Sequence, residues 1–339
     1  MNIAVFAYSK KGCETARRVM ELLPDDSVSA YAASRLKEDG FGTIPHNSKE
    51  FYGEWFSWAD AMIFVGACGI AVREIAPHVR DKRTDPAVID IDELARFVIP
   101  ILSGHIGGAN DLAYRIATAL GSTPVITTAT DINAKFAVDS WAVKCGYKIG
   151  NMTAAKMVSA RILETDIPIT SDFPIAGNLP NGLVLGESGD IGIYVGYKDK
   201  KPFKMTLSIF PQIMHLGIGC RRDISHTAVE EAVMAVMEAN GLDMRAVKSV
   251  SSIDIKADEQ GLITFCQKNT LPFVCYSAED LMTVQGDFSR SEFVESVTGV
   301  DNVCERSALM GADELIVKKT ALNGVTVAAA IEKTEVKFG

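Results

Sequence analysis

Apolar and polar residues fall into runs of strand and helix length along most of the chain, and the clearest pattern lies at 97–131. An apolar run of strand length, Phe97-Val98-Ile99-Pro100-Ile101-Leu102, leads into a tight turn, Ser103-Gly104-His105-Ile106-Gly107-Gly108. Ala109, Leu112, Ala113, Ile116, Ala117 and Leu120 then recur at the spacing of one helical face, and Gly121 ends that helix. Pro124-Val125-Ile126 predicts a further buried strand, with a polar tip at Thr127-Thr128-Ala129-Thr130-Asp131. The pattern is strand–helix–strand, so two loops are expected to meet at the carboxyl edge of a parallel sheet, where open α/β sheets bind ligands. One loop offers free N–H groups, an imidazole and an amide; the other offers three hydroxyls and a carboxylate.

The same alternation extends on both sides. Strands are predicted at 2–8, 61–65 and 87–91, and helices from Cys13 to Leu23 and from the Gly66-Ala67-Cys68-Gly69 turn through Val79; 34–50 reads as a loop. Up to about residue 145 this predicts a doubly wound α/β domain. From there to 211 the rhythm changes to one helix and several short strands, a small α+β region. Residues 212–339 read as a second, smaller α/β domain. Its strands are expected at 213–218, 247–255, 272–276, near Leu315 and at 325–331. Ser225 is placed to cap a helix that carries Val229, Ala232, Val233, Val236 and Met237 on one face. The domains are therefore expected at 1–145, 146–211 and 212–339.

Composition narrows the class of partner. With 47% hydrophobic and 23% charged residues among 339, the chain has the make-up of a globular enzyme. A net charge of −9 argues against nucleic acid, which calls for a basic footprint. It also means that an anionic ligand needs local cations. No apolar run approaches the roughly 20 residues that span a bilayer, and the amino terminus lacks a signal-peptide pattern. Seven scattered cysteines without a C-x-x-C pair suit a reducing cytoplasm and supply no zinc site.

Several residues stand out chemically. His105, inside a glycine turn, suits general acid–base work, although a lone histidine is more often structural than catalytic. Gly104, Gly107 and Gly108 provide a sharp bend without matching a nucleotide fingerprint. Gly66 and Gly69 repeat the strand-to-helix geometry in which amides face an anion, with Arg73 one turn on. Asp131 reads as a carboxylate at the loop tip or a helix cap, and Asp92-Glu93 as a solvated turn. Arg221-Arg222, after Gly217-Ile218-Gly219-Cys220, suits carboxylate binding or a solvated pair. Cys220 reads as a small buried thiol. His46, His78, His215 and His226 show no ligand spacing.

Taken together, GACGIAVREIAP (66–77), KRTDPAVIDIDE (82–93), LSGHIGGAND (102–111) and VITTATD (125–131) resemble the cobalt-precorrin-5A hydrolases of oxygen-independent cobalamin synthesis. GIGCRR (217–222), SIDIKADEQGL (252–262) and VCE (303–305) extend the resemblance through the carboxyl-terminal part. It implies that water opens the δ-lactone of a cobalt-containing macrocycle. The C20 fragment then leaves as acetaldehyde, giving cobalt-precorrin-5B. No cofactor is implied, since the cobalt arrives within the substrate. For that chemistry His105 or Asp131 is expected as the base, with amides near Gly107-Gly108 or Gly69 at the oxyanion. The resemblance sets Gly66, Gly69, Arg73, Lys82, Ser103, Gly104, Gly107, Gly108, Asn110, Thr127, Thr128, Cys220, Arg221, Arg222, Lys256, Glu259 and Glu305 against the substrate. Arg73, Lys82, Arg221, Arg222 and Lys256 would clamp its carboxylates. A ligand this large calls for a cleft between domains. A homodimer and handover contacts with neighbouring pathway enzymes are compatible with this reading. The alternative is a non-catalytic tetrapyrrole-binding or carrier protein.

Overall fold

The computed structural model describes residues 1–81, 84–105 and 107–338; Lys82 therefore lies outside the described residues. The chain divides into two compact units, Met1–Ser140 and Trp141–Gly339. No helix among the described residues is long and apolar enough to cross a membrane.

The first unit runs β1 (Asn2–Ala7), α1 (Lys10–Glu21), β2 (Ser27–Ala33), β3 (Gly42–Ile44), α2 (Ser48–Trp58), β4 (Ala61–Val65), α3 (Cys68–Ile75), β5 (Ala87–Ile91), β6 (Phe97–Leu102), α4 (Ala109–Leu120), β7 (Thr123–Pro124), α5 (Ala129–Ile132) and the start of α6 (Val138–Lys144). The seven strands lie in the order β3-β2-β1-β4-β5-β6-β7, the first five mutually parallel. Strand side chains alternate between faces, and the sheet is covered on both. Ile3, Ile63 and Ile89 pack with Cys13, Ala16 and Val19 of α1 and Leu112 and Ile116 of α4. Phe6, Phe64 and Val88 pack with Tyr52 and Phe56 of α2 and Ala71 and Ile75 of α3. This is the doubly wound arrangement expected from the alternating pattern. Ser9 accepts a hydrogen bond from the Gly12 amide and so starts α1.

Two local expectations are corrected. Residues 34–50 are not a continuous loop, because β3 and the first turn of α2 lie within them. The strand expected at 124–126 has only two residues, Thr123 and Pro124, and neither is buried. It sits at the sheet edge, where a proline without an N–H is tolerated.

The second unit holds two five-stranded sheets. The first comprises β8 (Lys148–Ile149), β9 (Ile167–Ser171), β10 (Leu183–Leu185), β11 (Ile191–Val195) and β12 (Met205–Phe210), with α7 (Met152–Arg161) after β8. Its order is β10-β9-β11-β12-β8, parallel except for β8. The second comprises β13 (Met214–Cys220), α8 (His226–Ala239), β14 (Val247–Ile253), α9 (Gln260–Lys268), β15 (Phe273–Tyr276), α10 (Ala278–Thr283), α11 (Glu292–Thr298), α12 (Val303–Leu309), β16 (Glu314–Leu322) and β17 (Val325–Ile331). Here β13, β14 and β15 are parallel, and the β16–β17 hairpin joins antiparallel to β13. Ser225 caps α8 by accepting from the Ala228 amide, and the five apolar residues expected on one face are the ones buried. The opposite sheet face is narrower in side chain: Ala328 and Ala330 of β17 meet Cys304 and Ala308 of α12.

Candidate active site and anion-binding cavity

The turn after β6 is closed from within. The Gly108 amide donates to the His105 carbonyl at 2.9 Å, that of Ala109 to the Ser103 carbonyl at 3.1 Å, and that of Asn110 to the Gly104 carbonyl at 3.0 Å. Ser103 occupies the left-handed region at φ 56 and its hydroxyl donates to the Asp85 carbonyl at 2.9 Å. A Cβ on Gly107 would stand 2.4 Å from Ser103 Cβ, so only glycine allows this fold-back. The turn holds the His105 ring against the segment after β7. His105 Nε2 lies 2.9 Å from Asp131 Oδ2 and 3.0 Å from Thr130 Oγ1. Buried Asn110, in the first turn of α4, donates to the same Asp131 oxygen at 2.8 Å and to Thr128 Oγ1 at 2.9 Å. Asp131 lies within α5 and accepts these side-chain bonds, so helix capping is not its role. Asp139, unremarkable in the sequence, approaches His105 Nδ1 at 3.7 Å with a side chain only 6% exposed.

Gly66, Gly69 and Arg73 do not belong to this cluster. β6 runs antiparallel to β5, with Leu102 opposite Val88, so the His105 turn lies at the amino edge of β1–β5. The Gly66 amide donates to the Ile91 carbonyl, at the other end of β5. Five residues of strand separate the two edges, about 13 Å at the usual rise. An oxyanion role for Gly69 at the His105 site is thereby excluded. That of Gly108 falls too, because its amide is already engaged. Thr127 is exposed beside the cluster, and Gly107 retains an amide with no partner among the described residues.

The second unit carries a cavity of about 1030 Å³ at the carboxyl ends of β13 and β14. Cys220, Arg221, Arg222 and Lys256, singled out separately in the sequence, line it together, with Ile253, Ile255, Val294, Val297 and Val303 as its apolar wall. Arg222 is answered by Asp258 in a bidentate pair at 2.9 and 3.0 Å. Lys256 pairs with buried Glu259 at 3.2 Å. Arg221, which donates to the Asn323 carbonyl at 3.3 Å, and Lys319 meet no carboxylate among the described residues. They are the cations left for an anionic ligand. Lys319 was not anticipated, since nothing in β16 marks it apart from its neighbour Lys318.

Two expected contacts are corrected. Glu305 is fully buried and accepts from the Ser289 amide and hydroxyl and the Lys319 amide, at 3.0, 2.9 and 2.6 Å. Glu259 is also buried, and takes the Ile224 amide besides Lys256. Both hold the cavity walls rather than its contents. Burial pushes the Cys220 thiol up to about 11, with Lys256 opposing, so it stays protonated near neutrality. His215 lies between Ser249 Oγ and Glu332 Oε1, each at 2.8 Å. Ser249 is buried at the amino end of β14, far along the strand from the cavity, so this line ties strands together.

These features describe a two-unit α/β protein with a His–Asp–Asn cluster in one unit and an apolar-walled cavity bearing two cations without a carboxylate partner among the described residues in the other. Residues 50–131 match the family described as Cobalamin synthesis G N-terminal, and residues 214–330 the one described as Cobalamin synthesis G C-terminus. The chain is 33% identical to the cobalt-precorrin-5A hydrolase of Salmonella typhimurium, over 97% of each chain. It is 30% identical to that of Priestia megaterium, over 97% of this chain and 94% of the other. Among solved structures it is similar to a cobalamin biosynthesis protein G homologue from Sulfolobus solfataricus, with a TM-score of 0.42 and 22% identity over 97% of each chain. The chain belongs to the cobalt-precorrin-5A hydrolase family.

Proposed function

We propose that this protein hydrolyses cobalt-precorrin-5A: water opens the δ-lactone, the C20 fragment departs as acetaldehyde, and cobalt-precorrin-5B remains. The observation that carries the proposal is the near end-to-end match to relatives bearing that activity in their names. The geometry supplies suitable means. Lactone opening needs a proton acceptor for water and a donor for the developing oxyanion. The His105–Asp131 pair offers the first and the Gly107 amide the second. Loss of acetaldehyde then requires a proton to leave the newly freed hydroxyl while the carbon–carbon bond electrons pass into the conjugated ring, which is protonated in turn. The same acceptor serves both steps. Cobalt enters within the substrate and no further cofactor takes part. The reaction is placed in the cytoplasm, and neighbouring pathway enzymes are the handover partners.

The test is incubation of purified protein with cobalt-precorrin-5A. Acetaldehyde and cobalt-precorrin-5B are expected in equal amounts; tight binding with neither product would leave a carrier in place of an enzyme. The cavity makes a separate claim on affinity. Hydrogen bonds to charged groups contribute roughly 1.5–3 kcal/mol each, so Arg221→Ala with Lys319→Ala should raise KM by roughly two to four orders of magnitude. Their effect on kcat should be small, because neither residue belongs to the cluster that moves the proton. An unchanged KM would remove these cations from substrate binding.

A further inference from the structure

We propose that the proton acceptor is Asp131 Oδ1, and that His105 is a positioning residue. The inference rests on the lactone-opening reading and deepens it. Asp131 Oδ2 already accepts from His105 Nε2 at 2.9 Å and Asn110 Nδ2 at 2.8 Å. Its second oxygen has no partner among the described residues, and the side chain is 31% exposed against 19% for His105. A carboxylate only accepts, so the proton of a neutral His105 ring sits on Nε2. The lone pair is then on Nδ1, which lies 3.7 Å from the buried Asp139 side chain, too far for a hydrogen bond, and does not face open space. Both ring nitrogens thus point at protein carboxylates. A general base must reach the proton that it removes, and of the two residues only Asp131 presents a free acceptor.

The step balances without further reagents. A water proton passes to Asp131 Oδ1 as the water oxygen bonds to the lactone carbonyl carbon. The tetrahedral adduct collapses, the bond from that carbon to the ring oxygen breaks, and the proton returns from Asp131 to the departing alkoxide. The His105 and Asn110 N–H groups stay in place throughout, fixing the carboxylate so that one oxygen is always turned outward.

Glutamine separates the two roles, because its side-chain amide places an N–H near the position of Nε2 but accepts no proton. In acetaldehyde-release kinetics on cobalt-precorrin-5A, Asp131→Asn is expected to lower kcat by about 10³-fold or more with KM little changed. His105→Gln should keep kcat within about tenfold of wild type, whereas His105→Ala should fall about 10²-fold. Matched thermal melts confirm folding, and Asp131→Asn, an isosteric change, gives an independent arm should a His105 variant fold poorly. Active wild type with a Gln variant as impaired as the Ala variant overturns the role given to Asp131 while leaving the function intact. Wild type that leaves the lactone closed overturns both.

Discussion

Gly217→Ala is expected to cost the second unit its cooperative folding, although it adds a single methyl group. Gly217 lies in β13 beneath α12, and a Cβ there would stand 1.8 Å from the Cys304 carbonyl oxygen and 2.7 Å from the Ala308 amide nitrogen. Both are backbone atoms and cannot rotate away. β13 cannot retreat either, being hydrogen-bonded to β14 on one side and β17 on the other. Overpacking a core usually costs about 1–3 kcal/mol. A collision with helix backbone should exceed that range and approach the about 5–15 kcal/mol by which a domain is stable at all. Urea denaturation followed by circular dichroism should show the transition lost or moved far to lower urea; a midpoint within error of wild type would refute the packing account. In the sequence the GIGCRR motif invites reading both glycines as a ligand turn. Only its last three residues face the cavity along with Gly219, whereas Gly217 is there so that α12 can approach the sheet.

Much of the architecture follows from periodicity, because buried strands and one-faced helices write it directly. β1, β4, α4, α8 and β14 lie within a few residues of their expected places. The meeting of His105 with Asp131 was also readable, since a strand–helix–strand unit with parallel strands brings its two exit loops together. What the apolar pattern does not carry is strand direction. Gly66 and His105 look equivalent, each in a glycine turn after an apolar run, yet they lie at opposite edges because β6 runs antiparallel to β5. A signal existed: only residues 92–96 connect the two strands, and a parallel crossover needs roughly a dozen. Asp92 performs the reversal by accepting from the Leu94, Arg96 and Phe97 amides. The α2 helix was similarly within reach, since Phe51, Tyr52, Trp55 and Phe56 recur at helical spacing. Asp139 was not. It reaches His105 from a short helix whose pattern marks no ligand, and only tertiary structure brings it there.

Asp90→Asn is expected to stabilise the protein above neutral pH while leaving it no more stable, or less, in mild acid. Asp90 points from β5 to the α2–α3 side of the sheet, is 2% exposed, and its Oδ1 has no hydrogen-bond partner among the described residues. Burial, and secondarily the charge of Asp92, pushes its carboxyl from 3.8 up to about 7. Among the groups near it are Tyr8 and Cys68, a phenol and a thiol, neither of which can carry a positive charge. An unfolded chain releases this proton near 3.8, but the folded chain keeps it until about 7. Between those values the folded state binds more protons, so stability from this group falls as pH rises and the loss is complete above 7. At about 1.4 kcal/mol per pH unit the loss is at most about 4 kcal/mol. Asparagine cannot ionise, so its curve lacks this fall. In acid it brings an amide that needs partners, at a cost of about 1–3 kcal/mol. The difference between variant and wild-type unfolding free energies should therefore rise in favour of the variant from pH 5 to pH 8. Titrating groups that do not interact with Asp90 cancel in that difference, so two parallel pH curves would mean that Asp90 is already ionised in the folded protein at pH 5.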